Sequence, residues 1–137
     1  MKTAMMAAAK GPLPRWPICF AGISGALAVF LAAGAAHDLK HWLGAEDLER
    51  IHTAVRYQIW HALALLATAA LSTAKPSPWL HIAALGFALG SVLFCSGLYL
   101  TAFTGQAIFG WLAPFGGLAF IAGWLAIAVH GWRSVQT

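Results

Sequence analysis

The chain is built of four long apolar runs separated by short polar joints. The runs cover residues 17–36, 54–73, 79–103 and 108–132. At 1.5 Å per residue, each is long enough as a helix to cross a hydrocarbon core of roughly 30 Å. The joints carry the stop signals. KPSP at 75–78 ends the second run, Gly105 follows the third, and Arg133 follows the fourth. Trp16, Trp42, Trp79, Trp111 and Trp132 lie at or near run ends, where interfacial aromatics collect. The pattern predicts an all-α fold, a four-helix transmembrane bundle, with residues 1–137 as a single integral membrane domain. Within the fourth run, Pro114 followed by Gly116 and Gly117 predicts a kink or a distorted turn.

Composition supports the same class. Hydrophobic residues make up 61% of the 137 and charged residues only 9%, against about a quarter charged in a soluble domain. A basic start leads into the first run, and AAGAAHD resembles a cleavage site. The run is longer than the usual signal core of about 7–15 residues, so a retained first helix is expected. Cys19 and Cys95 fall inside apolar runs without metal-ligand spacing and read as small packing residues. The net charge of +4 comes without a basic, aromatic-interleaved patch, which argues against nucleic acid as a partner.

Lys and Arg give an orientation. Lys2, Lys10, Arg15, Lys75 and Arg133 share the side of the termini, whereas Lys40, Arg50 and Arg56 lie on the other. Positive charge favours the cytoplasm, so N and C termini are expected there. All four acids, Asp38, Glu46, Asp47 and Glu49, fall in the first connection, HDLKHWLGAEDLERIH. Glu46, Asp47 and Glu49 just after Gly44 favour the positive end of a starting helix, which would run unbroken from about Ala45 to Thr73.

The second run opens with polar residues. On a helical wheel Glu49, His52, Thr53, Arg56, Tyr57 and Trp60 share one broad face, with His61 at its edge and Gln58 furthest away. Polar groups at the depth of Gln58 and His61 should face other helices or a wet cavity. One reading makes them structural: Arg56 pairs with Glu49, Asp38 or Glu46, and Tyr57, Gln58 and His61 hydrogen-bond across helices. The other is a ligand pocket formed by Arg56, Tyr57, Gln58 and His61, with His37 nearby. His37 and His41, four apart, with Asp38, Glu49 and His52, or His37 with His61 as an axial pair, make metal or haem a lesser alternative. No metal or other cofactor is assigned. His81 and His130 fall at the opposite end and read as interfacial.

Catalysis finds little here, since no acid lies in an apolar run and no nucleophile–His–acid set is evident. Paired broken helices of a transporter are also missing. Small residues recur at helical spacing: Ala21 and Gly25, Gly22 and Ala26, Gly86 and Gly90, Ala119 and Gly123. Such rows serve either packing within the bundle or association with another copy.

VRYQIWHALALL resembles the signature of the bacterial YgdD family of small inner-membrane proteins, domain of unknown function 423, which has small eukaryotic transmembrane relatives. The shared element is Arg-Tyr-Gln, two further residues, then His-Ala-Leu, carried by Arg56, Tyr57, Gln58, His61, Ala62 and Leu63. LFCSGLY at 93–99 and APFGGLAFIAGWL at 113–125 add to the likeness, which covers roughly residues 17–130. The first helix departs from the family's Gly-Ala-Phe-Gly-Ala-His ending, keeping only Ala36 and His37. The resemblance implies a four-helix protein of the bacterial inner membrane and no particular activity. The expected function is therefore a small non-enzymatic accessory or assembly component of a larger membrane complex. Its partners would be the lipid bilayer and other membrane subunits or a second copy of itself. The alternative is a binding protein for a lipid-soluble ligand such as a quinone.

Overall fold

The structure is a computed structural model that describes residues 11–134. Lys2 and Lys10, counted above in the charge asymmetry, lie outside the described residues. Four helices account for the fold, and no strand occurs among the described residues: α1 (Trp16–His37), α2 (Ala45–Ala74), α3 (Pro78–Thr104) and α4 (Ala107–Ser134). The protein is all-α, as the four apolar runs predict.

Local chemistry sets the boundaries. Pro17 opens α1, where a missing N–H costs nothing because the first turn has no intrahelical acceptor for it. Gly44 is extended before α2, and Glu46 and Asp47 occupy its first turn. The helix then runs unbroken for 30 residues, so the polar first connection and the second apolar run share one rod. Ser77 caps α3 by accepting from the Trp79 N–H, with Pro78 in the first turn. Gly105 ends α3 at φ +69°, a left-handed conformation that glycine adopts without a Cβ clash.

Two irregularities refine the sequence reading. Pro114 does not break α4 internally. A 3₁₀ turn over Ala107–Trp111 precedes regular helix from Leu112, so Pro114 lies in the first α-turn, where it displaces no hydrogen bond. The distorted turn therefore comes before the proline. In α3 a π turn over Ser91–Cys95 interrupts the helix, with no proline to announce it. It lies where α4 comes closest: a Cβ built on Gly116 would stand 2.3 Å from the Phe94 backbone nitrogen.

The helices pack as two pairs, α1 along α2 and α4 along α3, with α2 also against α3. Much of the interior is alanine, including Ala21, Ala62, Ala83, Ala84 and Ala126, with Leu65, Phe87 and Phe120 as the larger fillers. Small side chains bring the axes close, which maximises dispersion contacts where lipid supplies no hydrophobic drive. Large apolar side chains such as Ile23, Phe30, Ile121 and Leu125 point outward. In water this surface would aggregate; in a bilayer it is the solvated face.

Among the described residues, α1, α3 and α4 are long and apolar enough to cross a membrane. The longest helix, α2, is not among them, because Arg56, Tyr57, Gln58 and His61 dilute its apolar stretch. The other three helices nonetheless border it on the sides that carry Gln58 and His61.

Candidate functional site

The polar turns of α2 divide between two sides. Gln58, 5% exposed, points to α1 and α3. Its amide N–H donates to the Ser24 carbonyl at 3.0 Å, and its Oε1 accepts from the Tyr99 hydroxyl at 2.6 Å. One side chain thus joins three helices, using the two ends of an amide that offers donors on one and an acceptor on the other. Below it, the Cys95 thiol donates to the Ala54 carbonyl at 3.5 Å, another α3-to-α2 link.

Beside this bridge a cleft of about 290 Å³ opens between α1, α2 and α3. Ile23, Leu27 and Val92 form exposed apolar walls, and Ser24, Gln58 and Tyr99 line its polar inner part. Such a shape accepts an apolar chain or ring bearing a single polar group.

His61 serves the other side, towards α3 and α4. It is 4% exposed, with its ring stacked on Phe120 at a centroid distance of 3.4 Å. Nδ1 lies 2.7 Å from the Tyr57 carbonyl, and Nε2 lies 3.2 Å from the Trp124 indole nitrogen. A carbonyl only accepts and an indole N–H only donates, so the geometry assigns the proton to Nδ1 and the lone pair to Nε2. Both nitrogens are occupied by protein. Tyr57 completes an aromatic layer with Phe94 and Trp60 at 4.7 and 5.4 Å. A second groove of about 460 Å³, bounded by Trp60, Leu63, Ala67 and Trp124, runs past the His61 edge.

The remaining candidates stand apart. Arg56 is exposed, with its guanidinium 4.0 Å from Glu49, the limit of an ion pair. Glu46 and Asp47, two of the acids closest to it in sequence, are taken by Arg50 instead. His37 is exposed at the end of α1, and its side chain makes no hydrogen bond among the described residues. Neither residue lines either cleft. No three His, Cys, Asp or Glu side chains converge among the described residues, and the Trp124 bond occupies the lone pair His61 would offer a metal. Cys19 is exposed, so of the two cysteines only Cys95 packs inside. His130, read as interfacial, is buried.

Sequence reasoning missed Ser24, Tyr99, Phe120 and Trp124, the partners that give Gln58 and His61 their roles. Tyr99 had a signal, being a phenol in the middle of an apolar run that must find a partner. Ser24 had none, because its contribution is a backbone carbonyl.

The small-residue rows also divide. A Cβ on Gly86, Gly90, Gly116 or Gly123 would fall within 3.0 Å of the facing helix, so the α3–α4 rows are consumed by intramolecular packing. On α1, a Cβ on Gly22 or Gly25 would meet nothing within 4 Å. Gly22 and Ala26 lie one turn apart on the exposed surface.

Fold and surface together define an integral membrane protein built as a compact helical bundle. The model of the family described as "Protein of unknown function (DUF423)" matches residues 31–117. The inner membrane protein YgdD of Escherichia coli K12 is 36% identical over 119 residues, covering 87% of this chain and 91% of its own. A Haemophilus influenzae membrane protein is 36% identical, covering 82% and 90%. The membrane protein YwdK of Bacillus subtilis is 35% identical, covering 82% and 92%. The chain belongs to the DUF423 family, and no solved structure matches it.

Proposed function

We propose that the protein is a small non-enzymatic inner-membrane component, an accessory or assembly subunit acting by lateral contact within a larger membrane complex. The inner-membrane address follows the name of the Escherichia coli relative. In this reading α2 is the fourth span, with Gln58 and His61 shielded from lipid by α1, α3 and α4. The Lys and Arg asymmetry then assigns both termini to the cytoplasm and the acidic first connection to the opposite side. Confinement of all four acids to residues 38–49 favours a role without catalysis.

The open face of α1 carries the proposal. In lipid, helices associate through close backbone approach, and small residues make that approach available. The bundle packs Gly86, Gly90, Gly116 and Gly123 of α3 and α4 internally, yet leaves the Gly22, Gly25 and Ala26 cluster on α1 open. Gly22→Leu adds bulk where the bundle itself has room. Purified from native membranes in mild detergent, this variant should fold as wild type and lose the proteins, or the second copy, that accompany wild type. An unchanged set of companions would refute the contact face.

A second reading is favoured by the cleft beside Gln58. A lipid-soluble molecule such as a quinone would insert its ring or chain between Ile23, Leu27 and Val92 and present a carbonyl to the Gln58–Tyr99 pair. Mass spectrometry of solvent extracts from purified protein would test this, since Gln58→Leu should remove such a molecule. Extracts with only bulk lipid in both proteins would exclude it.

A further inference from the structure

Two hydroxyls in the cleft between α1, α2 and α3 have no partner in the protein. We infer that Ser24 and Ser91 bind the uncharged ring of a membrane quinone, each donating to one of the ring's two carbonyl oxygens. This rests on the cleft taking a lipid-soluble molecule, and adds the class of molecule and the groups that hold it.

The buried hydroxyls of the described residues belong to Ser24, Thr68, Ser72, Ser91 and Thr101. Thr68 and Thr101 donate to the Ala64 and Gly97 carbonyls one turn earlier, the ordinary way a hydroxyl is satisfied within a helix. Ser72 accepts from the Leu13 N–H. Ser24 and Ser91, 7% and 6% exposed, make no side-chain hydrogen bond among the described residues. Both line the same cleft, one from α1 and the other from α3. No fully enclosed side-chain oxygen lacks a partner among the described residues, so these two keep an opening. The cleft they line is that opening.

Depth decides what can fill it. Ser91 stands midway along α3 between Pro78 and Thr104, about 20 Å of helix from either end. Ser24 is about 12 Å along the helix from Trp16 and about 20 Å from His37. Water satisfies an open hydroxyl at the membrane surface. Here the cleft opens between Ile23, Leu27 and Val92 onto hydrocarbon, which offers a hydroxyl nothing. Phospholipid head groups lie outside the hydrocarbon core, too far away to reach these serines.

The lining contains no Asp, Glu, Lys or Arg, so a fatty-acid carboxylate would be buried there without a cation. What it offers is hydrogens: the two serine hydroxyls and the second amide N–H of Gln58, whose Oε1 is already taken by Tyr99. An uncharged ring bearing carbonyl oxygens matches that set. The volume of about 290 Å³ is at the lower end of ligand pockets, roughly 300–1,000 Å³, and suits one ring with its tail in lipid. Ser91 also opens the π turn of α3, a distortion that recurs at functional sites.

The test is native mass spectrometry of the full chain in detergent, titrated in turn with decylubiquinone, oleic acid and phosphatidylglycerol. Wild type should retain one decylubiquinone about fivefold more tightly than either lipid. Ser24→Ala and Ser91→Ala should each weaken it by about fivefold. Both should melt as wild type does, because neither hydroxyl has a bond within the protein to lose. Ser96 also lines the cleft, but its hydroxyl donates to the Val92 carbonyl, so Ser96→Ala should change binding by less than about twofold. Quinone binding that Gln58→Leu abolishes but both serine variants keep would retain the cleft as a ligand site and overturn the role of the serines. Oleic acid or phosphatidylglycerol held as tightly as decylubiquinone would overturn the quinone. Saturable binding of none of the three would overturn the cleft as a site together with this inference.

Discussion

The Tyr99 hydroxyl donates to Gln58 Oε1 at 2.6 Å, across two helices that belong to different packed pairs. With the bond from Gln58 to the Ser24 carbonyl, it ties α1 and α3 to α2 through one side chain. Tyr99→Phe deletes one of these bonds and almost no volume, so it should cost about 0.6 kcal/mol, the average for interhelical bonds in a membrane protein. Gln58→Leu removes both and strands the Tyr99 hydroxyl, and should cost about 1–3 kcal/mol. Thermal melting in detergent, with the two variants side by side, checks the order. A Tyr99→Phe variant as damaged as Gln58→Leu would show that the amide is not the centre of the bridge.

Arg56 and His61 should differ sharply. His61→Ala empties a stacked site against Phe120 and leaves the Trp124 N–H unpaired, so a loss of about 2–4 kcal/mol is expected. Arg56→Ala gives up a single exposed ion pair at 4.0 Å and should cost less than about 1 kcal/mol. The sequence alone points the other way, since loss of Arg56 would leave its acidic partners unpaired near the interface. The structure reverses this because the Arg56 side chain is exposed and its one ion pair is at the distance limit. Denaturant titration of both variants would decide, and greater damage from Arg56→Ala would contradict the geometry.

The glycines make a third comparison. Gly116→Ala puts a Cβ against the Phe94 backbone, which cannot rotate away, and should destabilise α3–α4 packing by about 1–3 kcal/mol. Gly22→Ala has open space and should leave stability within about 0.5 kcal/mol of wild type. Equal effects at the two positions would mean that the α1 face is already covered.

Much of this fold was legible because lipid imposes strict demands. Runs of 20 or more apolar residues have few alternatives to helix, and the caps at Gly44, Ser77 and Gly105 follow ordinary backbone chemistry. The wheel for α2 also separated Gln58 from Tyr57 and His61, and they do face different neighbours. The partners were not legible. Which helix faces Gln58 depends on interhelical register, and register depends on contacts such as Gly116 on Phe94 that no periodicity announces. The π turn at 91–95 belongs to the same class of feature. His130 comes near the end of a run, as the sequence shows, but its burial against the bundle depends on packing that the run does not announce.

Orientation can be checked directly. In a Cys19→Ser background, a cysteine at Ala45 should react with an impermeant thiol reagent added to intact cells, and one at Ser134 should react only after lysis. The reverse pattern would invert the assignment of the termini and of the acidic first connection.

Lateral contact through α1 is most directly tested by site-specific photo-crosslinking in native membranes. A photoreactive residue at Ala26, on the open small-residue face, should give a discrete protein adduct, either a partner subunit or a second copy of the chain. The same residue at Leu118 on α4, also exposed but flanked by the large side chains of Phe115 and Ile121, should give lipid adducts alone. Lipid adducts alone at both positions would contradict the account.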